Sequence, residues 1–176
     1  MNHAANTVKV WDPFVRLFHW SLVSCVVLNL WILEEGESAH ELAGYIACGL
    51  VLARVVWGFV GTRYARFSDF FPTPRRVRAH VQALLQGEPH SSVGHNPLGA
   101  LMMLALLALI LGLGVTGWLQ GTDAFWGEEW LEEVHEALAN TLLLAAGVHA
   151  MAAIVMSRIE RVNLVRAMVT GKKEPL

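Results

Sequence analysis

The sequence predicts an all-α integral membrane protein, a four-helix bundle, and three observations carry that expectation. The 176 residues are 55% hydrophobic and only 16% charged, where soluble domains carry about 25% charged residues. Four apolar stretches, at about 14–33, 40–60, 97–119 and 134–156, reach or approach the roughly 20 residues that a helix needs to cross a bilayer. The Lys and Arg residues avoid the segments between the first and second stretches and between the third and fourth. Isolated spans must be helical, because in hydrocarbon every backbone polar group has to be satisfied within its own segment. A soluble bundle would show polar stripes at helical spacing, and 97–119 shows none. Length allows one membrane domain, 1–176. A net charge of −2 and an isoelectric point near 6.4 exclude a nucleic-acid binder. The same composition excludes a disordered chain and a disulfide scaffold.

The first span follows Trp11-Asp12-Pro13 and is long enough to cross the membrane, so no cleavable signal peptide is expected. The second runs from His40 to Val60. In the loop 61–96, Thr73-Pro74 opens a helix expected at about 74–87, with a side-chain cap and Pro in its first turn. Its Val77, Val81, Leu84 and Leu85 share a face, and Arg75, Arg76 and Arg78 are placed for lipid phosphates, so it should lie on the membrane surface. The third span is almost pure Leu, Ala, Met and Gly. The fourth runs from Val134 to Met156.

All 13 Lys and Arg fall near the N-terminus, at the inner part of span two and the loop after it, or beyond span four. The positive-inside rule then puts both termini and the 61–96 loop in the cytoplasm. The opposite face is acidic. Glu34, Glu35, Glu37 and Glu41 crowd the first outer segment, and Asp123, Glu128, Glu129, Glu132, Glu133 and Glu136 the second. Such a face is either simply solvated or a docking surface for a positively charged soluble partner. Trp31, Trp118, Trp126 and Trp130 fall at the outer boundary and Trp11, Trp20 and Trp57 at the inner one, as aromatic belts would. Cys25 and Cys48 form no CxxC or CxxCH, so they are expected to be buried small hydrophobes and any heme would be noncovalent.

Of eight His, four (His3, His80, His90 and His95) lie in cytoplasmic segments, where solvated histidine is expected. His19, His40, His135 and His149 lie at or within spans, where an ionisable residue is costly and points to function. His135 and His149 are 14 residues apart, within about 40° on one helix face and about 21 Å apart along the axis. Chain direction places His19 at the depth of His149 and His40 at the depth of His135. Two stacked bis-imidazole sites suit two b-type hemes held between facing helices. Zinc needs its ligands at one depth and does not fit. Arg54 stands 14 residues after His40, on the same face at inner depth, and Arg16 lies one turn before His19. Both could pair with propionates of the inner heme, although Arg16 could equally snorkel to the interface. Gly44, Gly49, Gly112, Gly114, Gly117 and Gly147 leave room for either a macrocycle or close helix packing. Nothing resembles a general base, a nucleophile or a phosphate loop, so no catalytic residue is assigned.

The stretches WDPFVRLFHW, HELAGYIACGLVLARVVWGFVG, HNPLGALMMLALLALILGLGVTGW and VHEALANTLLLAAGVHA resemble the bacterial cytochrome b561 family, which groups with the cytochrome b subunits of nickel-iron hydrogenases. The resemblance implies a multi-pass protein of the bacterial inner membrane. Its two noncovalent b hemes would be held by His19, His40, His135 and His149, and would move electrons between membrane quinone and a periplasmic partner such as a c-type cytochrome. Hydrogenase-type members usually carry extra length, which makes that role a lesser alternative for this chain. A superoxide:quinone oxidoreductase ranks below the relay because an anionic substrate would meet ten carboxylates. Lipid surrounds such a protein, and a second copy or an additional subunit stays open.

Overall fold

The computed structural model describes residues 8–87 and 93–173, so His3 and His90 lie outside the described residues. The chain is mostly helical. In order it contains β1 (Val8–Lys9), α1 (Pro13–Trp31), α2 (Ser38–Val60), a 3-10 turn (Arg63–Ala65), α3 (Phe67–Phe70), α4 (Pro74–Leu85), α5 (Pro97–Gln120), α6 (Glu129–Ile159), α7 (Leu164–Thr170) and β2 (Lys172–Lys173). Helices α1, α2, α5 and α6 are long and apolar enough to cross a membrane. Large apolar side chains on them point outward, Phe59 and Leu144 each 70% exposed, as lipid-facing residues would.

Three helices begin in the same way. Asp12-Pro13, Thr73-Pro74 and Asn96-Pro97 each place a capping side chain directly before a Pro whose missing N–H needs no partner there. Asp12 Oδ1 accepts from Val15 N at 2.9 Å, Thr73 Oγ1 from Arg76 N at 3.4 Å, and Asn96 Oδ1 from Gly99 N at 2.7 Å. Helix α6 starts at Glu129, five residues before the expected Val134. The extra turns carry Glu129, Glu132 and Glu133, which complement the positive end of the helix dipole. Helix α4 ends at Leu85 rather than 87.

The chain divides into two compact units. The first comprises Met1–Leu17, Val56–Met103 and Val148–Leu176, and the second Phe18–Val55 and Leu104–Gly147. In the first unit the segment before α1 pairs with the segment after α7. Strands β1 and β2 are antiparallel, with Val8 opposite Lys173 and Lys9 opposite Lys172. Gly171 O accepts from Val10 N at 2.8 Å and Trp11 N at 3.1 Å. Gly171 itself has a φ of +82°, and a Cβ there would stand 2.7 Å from Trp11 O, so only glycine suits the position. Lys173 Nζ lies 3.9 Å from the buried Glu160 carboxylate and donates to Gly94 O at 3.3 Å. Burial pulls the Lys173 ammonium below its usual range, with Glu160 opposing the shift.

Val10, Trp11, Val15, Ala65 and Ala167 form the core of this unit, packed by Phe14, Trp57, Tyr64 and Met168. Trp11 is only 6% exposed, and Trp57 Nε1 donates to Asp12 Oδ2 at 3.0 Å. These two are therefore not belt residues facing lipid: their indoles complete a core. Arg76 also departs from expectation, since its Nη1 donates to Phe71 O at 3.3 Å and to Asp69 O at 3.5 Å. His95 packs against the rings of Trp11 and Phe70 at 4.6 and 4.7 Å rather than standing in solvent.

Asp12 joins three elements, because Thr62 Oγ1 also donates to its Oδ2 at 2.6 Å. Burial opposes its charge, but hydrogen bonds from Thr62, Trp57, Val15 and Phe14 outweigh that and hold the carboxyl below its usual range. A carboxyl depressed in the folded state stabilises above its unfolded value of about 4, and that contribution is lost as pH falls through the folded value. Asp12→Asn should therefore lower the stability of detergent-solubilised protein by about 1–3 kcal/mol at neutral pH. In thermal melts followed by circular dichroism, the gap to wild type should shrink below about pH 4. An unchanged melting temperature at pH 7 would contradict this role.

Candidate cofactor site

The second unit brings together two of the four span histidines. Helix α2 supplies His40, the third residue of its first turn, and α6 supplies His135 in its second turn. Both are half-buried, and His40 and Glu35 are close enough to act on His135 through their charges.

His135 is seated against α5. Its Nδ1 lies 2.7 Å from Thr116 Oγ1, and its Cε1 would be 3.3 Å from a Cβ at Gly117. His40 is held through its backbone. The Asn29 amide of α1, in the orientation that satisfies both its ends, donates to His40 O at 3.2 Å and accepts from Gly44 N at 3.3 Å. The His40 Nδ1 is buried and has no hydrogen-bond partner among the described residues.

The other predicted residues are distributed between the units. His19 and Arg54 belong to the second, His149 and Arg16 to the first. His19 and His149 are half-buried, and the His19 ring meets Trp20 edge-on at 5.1 Å. Arg54 is the most deeply buried cation, 1% exposed, in a setting where a guanidinium is costly. Arg16 is half-buried, and its Nη1 would lie 3.0 Å from a Cβ on Gly171.

These residues suit a heme. The imidazoles are neutral-donor ligands of the type iron takes, and the unpartnered His40 nitrogen marks a polar atom awaiting a bond. A Cβ on Gly49 or Gly147 would meet no neighbour within 4 Å, so those glycines open space. Gly112, Gly114 and Gly117 instead serve close packing, against Leu138, Cys48 and His135. The glycines that looked equivalent in the sequence thus do two different jobs.

Charge separates with the units. All ten carboxylates expected on the outer face (Glu34, Glu35, Glu37, Glu41, Asp123, Glu128, Glu129, Glu132, Glu133 and Glu136) belong to the second unit and are exposed. The sole Lys or Arg in that unit is the buried Arg54.

The sequence model of the prokaryotic cytochrome b561 family matches residues 10–171, across all four long helices. The chain belongs to the prokaryotic cytochrome b561 family. Curated relatives are described as "Probable Ni/Fe-hydrogenase B-type cytochrome subunit". That of Rhodobacter capsulatus is 27% identical over 95% of this chain and 81% of its own length. That of Bradyrhizobium diazoefficiens is 26% identical over 96% of this chain and 86% of its own. The Azotobacter vinelandii relative is 26% identical over 72% of this chain and 65% of its own. As a cytochrome b561 the chain is a multi-pass membrane protein that carries b-type heme and transfers electrons.

Sequence reasoning passed over Thr116 and Asn29, which hold the histidines of this cytochrome. A signal existed for each. Thr116 is the one hydroxyl residue in α5, and Asn29 the one amide in α1. A polar group inside a span needs a partner.

Proposed function

We propose that this cytochrome relays electrons across the bacterial inner membrane between the quinone pool and a periplasmic redox partner, by way of two noncovalent b hemes. The outer heme would take His40 and His135 as axial ligands, the inner one His19 and His149, with Arg16 and Arg54 pairing its propionates. The single observation that carries the reading is that His40 and His135 lie within electrostatic range of each other in the unit that bears the ten exposed carboxylates. The iron supplies one-electron chemistry at a potential set by ligation and surroundings. The chain's own work is to hold the ligands, to neutralise propionate charge with buried guanidinium and to aim a partner.

The twelve other Lys and Arg belong to the first unit. The positive-inside rule puts both termini and the 61–96 loop in the cytoplasm. The segments that carry the ten carboxylates then face the periplasm and attract a basic carrier, such as a c-type cytochrome. The names of the relatives favour a second identity for the partner, a hydrogenase-type subunit anchored by this chain. Co-purification of a stable second chain would select it. Superoxide, an anion, would be repelled by the same carboxylates, most strongly at low salt.

Heme content tests the core of the proposal. A pyridine hemochrome assay on purified protein should give two hemes per chain, all extractable by acid-acetone. One heme per chain, or heme that resists extraction, would overturn it.

A further inference from the structure

We infer that Thr116 is a positioning residue for the outer heme: its hydroxyl fixes the tautomer and the ring plane of His135. The inference rests on the reading of His135 as an axial ligand.

Thr116 is buried, and its Oγ1 lies 3.0 Å from Gly112 O and 3.1 Å from Leu113 O. Both are pure acceptors, and a helical Thr commonly donates its single hydroxyl proton to such a carbonyl of its own helix. With the hydroxyl proton turned to its own helix, Oγ1 offers His135 a lone pair, and in this assignment Nδ1, 2.7 Å away, carries the ring proton. A neutral imidazole protonated at Nδ1 has its free lone pair at Nε2, the state an iron ligand needs. The opposite tautomer would set an unprotonated Nδ1 against a hydroxyl oxygen whose proton points elsewhere. Gly117, next along α5, admits the ring: a Cβ there would press on Cε1 at 3.3 Å. Hydroxyl and missing side chain together clamp one ring orientation.

The hydrogen bond has an electronic consequence as well. A donor Nδ1–H held by an oxygen makes the imidazole a more basic ligand, which favours ferric over ferrous iron and lowers the midpoint potential of that heme.

The test uses the full chain in detergent with three substitutions: Thr116→Val and Thr116→Ala, which lack the hydroxyl, and Thr116→Ser, which keeps it. Heme per chain, retention on challenge with a heme-scavenging apoprotein, and midpoint potentials from a redox titration are read for each. A positioning role sorts the variants by hydroxyl. Val and Ala should release the outer heme about 10–100-fold more readily and raise one of the midpoint potentials, while Ser stays near wild type. A packing role sorts them by the methyl group instead, with Ala and Ser impaired together and Val near wild type, and that result overturns the inference. His135→Ala separates the two levels. If it removes one heme while the Thr116 variants change neither retention nor potential, the tautomer inference fails and the ligand assignment stands. If His135→Ala keeps both hemes, the ligand assignment itself fails.

Discussion

His149→Ala should purify with one heme in place of two, the remaining heme keeping the spectrum and potential of the outer site. His135→Ala should do the reverse. The separation follows from α6 alone. The two histidines stand 14 residues apart on one uninterrupted helix, about 21 Å at 1.5 Å per residue, and no single macrocycle reaches both. Removal of one axial ligand from a bis-imidazole site costs most of the heme affinity, so the heme ratio by hemochrome assay is a large and direct readout. If either substitution strips both hemes from protein that remains helical by circular dichroism, the pairing by depth is wrong. If His149→Ala keeps both, His149 is not a ligand.

Reduction of a basic c-type cytochrome by the quinol-reduced protein should be fast at low ionic strength and slow markedly as salt rises. Unpaired charge of one sign raises encounter rates by about 10–1000-fold, and mobile ions erase the gain. Lys substitutions at Glu128, Glu129, Glu132 and Glu133 should lower the low-salt rate by roughly an order of magnitude or more. At high salt they should matter little. Stopped-flow spectroscopy is the appropriate measurement, because redox encounters are small and transient and differ in rate more than in affinity. A rate indifferent to both salt and the substitutions, together with rapid reduction by superoxide, would favour the oxidoreductase alternative.

The spans and the histidines were legible because the bilayer makes them so. Hydrocarbon demands about 20 apolar residues per crossing, and it makes an imidazole conspicuous wherever one interrupts such a run. The early start of α6 was not legible. Glu129, Glu132 and Glu133 carry no hydropathy signal, and what makes them helical is the dipole at the end of a helix already nucleated below them. Strands β1 and β2 were invisible for a different reason: two residues each show no periodicity, and their partners lie at the far end of the chain. Trp11 and Trp57 were read as belt residues from depth alone; the Trp57 indole turns inward to the Asp12 carboxylate, and Trp11 is buried in the core with Val10, Val15 and Ala167. Thr116 was hidden by its context, a lone hydroxyl whose importance depends on which residue of another helix stands opposite.

The pairing of β1 with β2 has a consequence for biogenesis. Val8–Lys9 can meet Lys172–Lys173 only after the segment between them has been synthesised, a wait of about 8–30 s at 5–20 residues per second. Closure also requires that both ends emerge on one side of the bilayer, which happens only after an even number of crossings. A chain in which one apolar helix fails to insert leaves its ends separated by about 30 Å of hydrocarbon. It cannot form the Gly171 hydrogen bonds to Val10 and Trp11. The ribbon thus acts as a parity check on insertion: only a correctly threaded chain can tie it, and a mis-threaded one leaves both strands loose for a protease to find.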